Sequence, residues 1–407
     1  MATADESKNQ VSSRIASSVH DINSEKPPFG SRFLTDEADV WSQNAWDHVP
    51  PPDDQDDTIA AALAKQQSAP VPEDERAKYN ENPAKHWDNF YKMNASNFFK
   101  TRKWLHLEFP ELVAAAKPEA GPLTIAEIGC GTGSAVFPLL SANENPNLAL
   151  RAYDYSNHAI KLVQTNPLYL EPPVGSINAA VWDLSSNDLP PEMEPGSVDI
   201  ITMIFVLSAL HPHEWAQAIA NVHRLLKPGG LVLFRDYGRY DLTQLRFKSG
   251  RLLDENFYIR GDKTRVYFFE LGTPLHLQIR IFSHHRISDE LALLFTGSPV
   301  PSSFETSNTE STVEDDESTP TPQGAHTPSD SSPGTPQISA DPPTNPIEPS
   351  FLETKKSHIH TVLKEQTNSG HPLFAIDQLG VDRRLIVNRK RQLKMYRVWM
   401  QGKFRKL

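Results

Sequence analysis

One cysteine, Cys130, occurs in 407 residues, which excludes an internal disulfide and any zinc site built on thiolates. A reducing compartment fits that scarcity. Long hydrophobic runs are missing too. The longest, Ile200 to Leu210, falls far short of the roughly 20 residues needed to span a bilayer, so no membrane contact is expected. The amino-terminal residues have no apolar signal core. Residues 8 to 20 are Ser-rich and acid-poor, but Asp5, Glu6, Asp21 and Glu25 bracket them, and the expected compartment is the cytoplasm.

Lys and Arg are absent from 297 to 350, where nine acids and 11 prolines lie among Ser and Thr. Such a stretch cannot bury enough apolar surface to offset its ordering entropy, and it reads as a disordered acidic insertion. Residues 1 to 72, with 12 acids against five Lys or Arg, read as a mostly disordered arm. The organisation expected is therefore the arm, a core over 73 to 296, the insertion, and a carboxy-terminal part of the same domain over 351 to 407. Without the arm and the insertion, the formal charge of −11 becomes about +5. Residues 383 to 407 hold ten Lys or Arg and no acid, interleaved with Tyr396, Trp399 and Phe404. That is a phosphate-contacting surface with stacking groups, or else a solvated basic tail.

From residue 123 onward, strand-like segments (123 to 128, 148 to 153, 176 to 182, 198 to 205 and 230 to 235) alternate with helical patterns such as 156 to 165 and 213 to 226. This alternation predicts an α/β fold, a doubly wound and mainly parallel sheet. Residues 266 to 270 and 384 to 399 supply further strand candidates, and the sheet is expected to close across the insertion.

The G-x-G-x-x-G of dinucleotide enzymes is also lacking. In its place the chain reads E-x-G-x-G-x-G, with Glu127, Gly129, Gly131 and Gly133 where the first strand turns into a helix. That spacing favours S-adenosylmethionine, which has no pyrophosphate to seat. Asp154 ends the second strand, where a carboxylate can accept both ribose hydroxyls. Asp183 ends the third beside Leu184, placed for the adenine. Together these predict a class I S-adenosylmethionine-dependent methyltransferase fold.

Two acceptor chemistries are disfavoured by absences. Methylating carbon 5 of cytosine needs a cysteine nucleophile, and Cys130 sits in the glycine loop. An exocyclic amine typically uses an Asn or Asp, Pro, Pro, aromatic turn after the fourth strand, where this chain reads IFVLSAL (204 to 210). A ring nitrogen such as N3 of cytosine has an in-plane lone pair and needs only positioning. Because N3 is used in base pairing, its target must be unpaired or flipped.

Several motifs in order, WDNFY (87 to 91), NFFKTRKW (97 to 104), EFPEL (108 to 112), RDYGRYD (235 to 241), NFYIRGDKTRVYFF (256 to 269) and 382 to 399, resemble the tRNA 3-methylcytidine methyltransferases. Members of that family act on position thirty-two of the anticodon loop. The resemblance covers roughly 28 to 270 and 380 to 407. Residues 29 to 49 are similar to the amino-terminal extension of the cytosolic branch, so part of the arm is expected to order against the core or the RNA.

The resemblance implies a tRNA-processing enzyme acting on threonine tRNAs, with arginine or serine tRNAs as further candidates. It also implies the anticodon stem-loop as partner, and an aminoacyl-tRNA synthetase or other protein as a second one. Trp87 and Tyr91 would cover the cofactor, with Arg102 beside it, and Gly131, Asp154, Asp183, Leu184 and Ile204 would complete its pocket. Lys100, Arg260, Arg265, Arg389, Lys394 and Arg397 would contact RNA, and Asp236 would face the acceptor base as the catalytic group. Blander readings stand beside these. Trp87 and Tyr91 could be helix core, Asp236 a salt bridge to Arg235 or Arg239, and Arg260 and Arg265 pins of a turn. His211, His213, His284 and His285 read as solvated loop residues, and no metal is expected. Methylation of a small molecule or protein, or an RNA-binding adaptor that has lost catalysis, are the competing functions.

Overall fold

The computed structural model describes residues 32–34, 39–95, 101–102, 104–270, 290–297, 360–365 and 373–407. All of them fall in one of two compact units of the chain. The other unit, Pro301–Lys356, lies outside the described residues, as do the insertion after Gly297, residues 272–285 and Lys100.

Eleven strands are present among the described residues: β1 (Ala45–Asp47), β2 (Leu123–Ile128), β3 (Leu148–Asp154), β4 (Ser176–Val181), β5 (Val198–Ile204), β6 (Leu226–Tyr237), β7 (Leu252–Asp254), β8 (Phe257–Ile259), β9 (Arg265–Tyr267), β10 (Phe374–Asn388) and β11 (Leu393–Lys406). Eight of them form one sheet in the order β1-β10-β11-β6-β5-β2-β3-β4. The central pairs β4–β3, β3–β2, β2–β5 and β5–β6 are parallel, and β11, β10 and β1 run antiparallel beyond β6. Helices cover both faces, so the inner strands are buried on both sides and read as nearly continuous apolar runs. Ala126, Ile128, Ile201, Met203, Val232 and Phe234 pack on one face, and Ile125, Leu150, Ala152, Ile200 and Leu233 on the other.

The helices begin where the sequence supplies caps. Ser156 accepts from Ala159 N to start the helix Asn157–Gln164. Before the helix Trp215–Leu225 lies a short turn at Pro212–Glu214, with Glu214 closing a capping box on His211 N.

Four expectations change. Strand β6 begins at Leu226, because Leu226 pairs with Val198 before the Lys-Pro-Gly-Gly turn interrupts the ladder and pairing resumes at Leu231 with Ile200. Residues 266 to 270 add no strand to the main sheet: β9 pairs with β8 in a separate three-stranded sheet, and Phe269 makes an isolated bridge at the end of β6, its N donating to Tyr237 O at 3.0 Å. The segment 384 to 399 is not one strand. It turns at 389–392, where Gln392 adopts φ 51°, so β10 and β11 form a long hairpin.

The arm, finally, is folded in part. Strand β1 pairs with β10, Ala45 opposite Ile386, and Trp46 packs on Leu385 and Val387. The helix Gln55–Gln67 buries Gln66, whose Nε2 donates to Gln244 O at 2.8 Å and whose Oε1 accepts from Tyr258 Oη at 2.8 Å. A buried amide in a satisfied polar network docks this helix despite its weak apolar face.

Candidate active site

At the carboxyl ends of the parallel strands, where open α/β sheets bind ligands, lies a cavity of about 360 Å³. Its floor is the turn after β2. Gly129, Gly131 and Gly133 all have positive φ, at 65°, 56° and 83°. Gly131 is required on a second ground: a Cβ there would sit 2.8 Å from Tyr91 Oη. The backbone is thus pressed between the strand end and the helix Pro83–Asn94, which lines the cavity with Trp87, Phe90 and Tyr91. Trp87 packs edge-on against Phe90 at 5.4 Å and is tilted on Tyr91 at 6.0 Å. The aromatics are therefore both cavity wall and helix packing.

Glu127 organises the turn from beneath. Its Oε2 accepts from Val136 N at 2.8 Å, and its Oε1 lies 3.8 Å from Arg102 Nη1. Burial pushes the Glu127 pKa up to about 7, against the pull of Arg102. Arg102 N donates to Ser134 O at 2.7 Å and its Nη1 to Ile204 O at 3.4 Å, which ties the segment before the core to the glycine turn and to the end of β5.

Asp154 lines the cavity with both oxygens engaged, Oδ2 by Gly131 N and Oδ1 by Ser156 N, each at 2.8 Å. Burial raises its pKa to about 6 in spite of these bonds. Each carboxylate oxygen retains a second lone pair, so the group can still accept hydroxyls. Asp183 Oδ1 accepts from Ser185 N at 2.8 Å and Ser185 Oγ at 2.7 Å, and Leu184 and Ile204 complete this end. A glycine cradle roofed by aromatics, with carboxylates at two successive strand ends, fits a nucleoside-bearing cofactor.

The other end of the cavity is built by Phe205, Tyr237, Thr243, Arg260, Asp262, Arg265 and Arg397. Phe205 has φ 61°, and its ring lies 4.7 Å from that of Tyr237. Arg260 stands over Tyr237 at 5.6 Å and donates to Thr264 Oγ1 and Arg265 O. Arg397 is anchored by Asp241, Nε to Oδ2 at 2.8 Å. Arg265 is buried and bridges Glu214 at 3.2 Å and Asn80 Oδ1 at 3.2 Å, which makes it a pin between elements as well as a lining residue.

Asp236 is not among the lining residues. It is fully buried, with Oδ2 accepting from Ser208 N at 2.9 Å and Oδ1 from Tyr237 N at 2.8 Å. Neighbours on a strand face opposite sides, so Tyr237 takes the cavity wall that the sequence reading gave to Asp236. Neither salt bridge considered for Asp236 forms, because Arg235 pairs with Asp382 and Arg239 with Glu270. His211 is not simply solvated: it stacks on His213 at 5.1 Å and meets Phe257 edge-on.

The basic aromatic segment is also different from a tail. Phe404 is core, stacked 3.7 Å from Phe295, and Trp399 lies 4.6 Å from the Arg235 guanidinium. Arg384, Arg397, Lys403 and Arg405 are paired with acids. Arg389 is exposed at the hairpin turn, and exposed Lys394 stands 5.8 Å over Trp41; neither lines the cavity. Phe205 and Tyr237 are among the lining residues that sequence reasoning passed over. Tyr237 lies inside a quoted motif and is signalled by strand alternation from Asp236, whereas nothing in IFVLSAL marks the left-handed backbone at Phe205.

A family model described as "Methyltransferase domain" matches residues 126–232. The chain is 38% identical to "tRNA N(3)-methylcytidine methyltransferase trm140" of Schizosaccharomyces pombe, covering 99% of both chains. It is 41% identical to the "tRNA(Thr) (cytosine(32)-N(3))-methyltransferase" of Saccharomyces cerevisiae over 92% of this chain, and it spans 45% of that longer protein. Similarity to "tRNA N(3)-cytidine methyltransferase METTL2" of Danio rerio is 42% over 60% of this chain and 76% of that one. At 38% identity to the Schizosaccharomyces pombe protein over nearly the whole of both chains, this chain belongs to the tRNA N3-methylcytidine methyltransferase family.

Proposed function

We propose that this protein transfers a methyl group from S-adenosylmethionine to N3 of the cytidine at position thirty-two of the anticodon loop, in threonine tRNAs, with arginine or serine tRNAs as further substrates to test. The observation that carries the reading is one cavity with the glycine turn, Asp154 and Asp183 at one end and Phe205, Tyr237, Arg260 and Arg397 at the other.

Once bound, the cofactor offers an electrophilic methyl to a ring nitrogen that has a lone pair and no proton, so the chain has to orient rather than deprotonate. Trp87 and Tyr91 cover the nucleoside end, Asp154 accepts the ribose hydroxyls, and Asp183 with Leu184 meets the adenine. Phe205 and Tyr237 supply aromatic surface for an unstacked pyrimidine. Arg260 and Arg397 contact the phosphates or the base carbonyl. Asp236 acts from behind this wall. Through Ser208 and Tyr237 it holds the wall in place. Burial raises its pKa to about 6 against the bonds from Ser208 and Tyr237, and in the ionised form its charge favours the cation formed on methylation. Exposed Arg389 and Lys394 extend the RNA-contacting surface beyond the cavity, and Lys100 keeps its proposed RNA contact outside the described residues.

The test is incubation of the purified protein with tRNA and a labelled methyl donor, followed by nucleoside analysis, with and without an aminoacyl-tRNA synthetase for the same tRNA. Label in 3-methylcytidine is the expected result. Label in another nucleoside, or none under either condition, overturns the reading.

A further inference from the structure

The helix that roofs the cofactor cavity carries a residue with no part in the reading above. Trp87, Phe90 and Tyr91 face the cavity, while Asp88 points to the neighbouring helix Asn157–Gln164. Its Oδ1 accepts from Ser156 Oγ at 2.5 Å and from His158 N at 3.0 Å. Ser156 is also the next link toward the cofactor. Its N donates to Asp154 Oδ1 at 2.8 Å, and Asp154 Oδ2 holds Gly131 N at 2.8 Å. A chain of hydrogen bonds therefore runs from the roof helix through Ser156 to the ribose carboxylate and the glycine turn.

We propose that Asp88 is a positioning residue: by clamping Ser156 and the first turn of the neighbouring helix, it fixes Trp87 and Tyr91 over the cavity and so sets the affinity for S-adenosylmethionine.

Apolar packing alone leaves the register of the roof helix loosely set. Phe90 and Tyr91 meet Ala159, with Trp87 and Leu162 at the margin, in a small cluster whose apolar contacts are non-directional and do not by themselves oppose sliding and rotation. The clearance over Gly131 does not tolerate them, since even one methyl group there would meet Tyr91 Oη. Hydrogen bonds to an ionised acceptor are short and directional, and a helix N-terminus favours the negative charge. Burial works to raise the Asp88 pKa, yet the bonds from His158 N and Ser156 hold it below the usual carboxylate range.

The proposal rests on the cofactor assignment above, and the experiment separates the two. Calorimetric titration of the full-length protein with S-adenosylmethionine is run on wild type, Trp87→Ala, Asp88→Ala and the double variant. Asp88→Ala is expected to weaken binding about tenfold, or about 1.4 kcal/mol. Trp87→Ala is expected to lose about tenfold in the wild-type background and under about threefold once Asp88 is gone, because an unclamped roof no longer places the indole. Equal losses in both backgrounds overturn the proposal, since a merely stabilising Asp88 leaves the Trp87 contribution intact.

Asp88→Asn keeps an acceptor oxygen and is expected to stay within about threefold of wild type; binding as weak as in Asp88→Ala counts against the clamp. If Asp88→Ala does not fold, Ser156→Ala opens the same link from the other side and the cycle is read with it. Wild-type protein that binds no S-adenosylmethionine fails the cofactor assignment, whereas binding with an additive cycle fails the clamp alone.

Discussion

Arg235 on β6 and Asp382 on β10 form an ion pair that reaches across the intervening strand β11, with both side chains buried. Strand β11 contributes Gln401, whose Oε1 accepts from Arg235 Nη1 at 2.6 Å, and the guanidinium lies between the rings of Trp104 and Trp399 at 4.7 and 4.6 Å. Phe205 N, at the cavity wall, donates to Arg235 O at 2.7 Å. The carboxy-terminal hairpin is thereby locked to the strand that ends at the active site. Asp382→Ala leaves a buried cation without its partner and is expected to cost about 3–5 kcal/mol of stability in urea unfolding. A loss under about 1 kcal/mol would show that the pair contributes little. For the same reason, truncation after Gly380, which removes Asp382, the rest of β10 and all of β11, is expected to unfold the protein.

Gly131→Ala places a side chain at φ 56° and against Tyr91 Oη. Left-handed backbone alone costs roughly 1–2 kcal/mol for a residue with a Cβ. Cofactor affinity is expected to fall at least about tenfold, and adding Tyr91→Phe, which removes the clashing hydroxyl, should recover part of it. Unchanged affinity in the single variant would remove the turn from the cofactor site.

Asp154→Ala opens no large core cavity but removes the acceptor for Gly131 N and Ser156 N and, on the proposed reading, for the ribose. The fold should persist in circular dichroism, with stability lower by about 1–3 kcal/mol from the unmet donors. Calorimetry should show cofactor binding weakened well beyond that of Asp183→Ala, whose carboxylate holds only Ser185 among the hydrogen bonds seen here.

Glu127 sets a pH dependence. Its native pKa, raised by burial to about 7, lies above its ordinary value of 4.5, so the fold prefers the protonated form. The stability this contributes is complete below about pH 4.5 and is lost as pH rises through about 7. Glu127→Gln lacks that slope. Across this window, urea unfolding should show the balance between the two proteins moving toward the variant by up to about 3 kcal/mol. Parallel stability profiles would contradict the assignment.

Binding of tRNA should weaken steeply with added salt as counterions are released. Arg389→Ala and Lys394→Ala lie outside the cavity, so each should lower affinity and reduce the salt slope by about 1 while leaving cofactor affinity unchanged. A slope unaltered by both substitutions would exclude the hairpin turn from the RNA surface.

Much of the cofactor half was legible in the chain because its signals are local. A strand, a turn that only glycine adopts easily, and acids at successive strand ends are all written within short windows. The substrate half was less legible. The choice between Asp236 and Tyr237 for the cavity wall depends on which face of β6 is covered, and the left-handed backbone at Phe205 follows from its bond to Arg235 O, a partner thirty residues away. Residues 55 to 67 form a helix although their polar composition resembles an unstructured arm. Gln66 earns its place through acceptors and donors near 244 and 258 that no nearby residue announces.

By itself, the sequence determined the parallel α/β core, the glycine turn after β2 and, through its ordered motifs, the family, since each depends on residues close together in the chain. Tertiary structure alone decided that the basic carboxy-terminal segment is two sheet strands rather than a solvated tail. It also decided that Arg235 is held by Asp382 and two tryptophans, and that Asp88 reaches Ser156. Those outcomes come from pairing between distant segments, where burial makes an unpaired charge costly and so selects the partner.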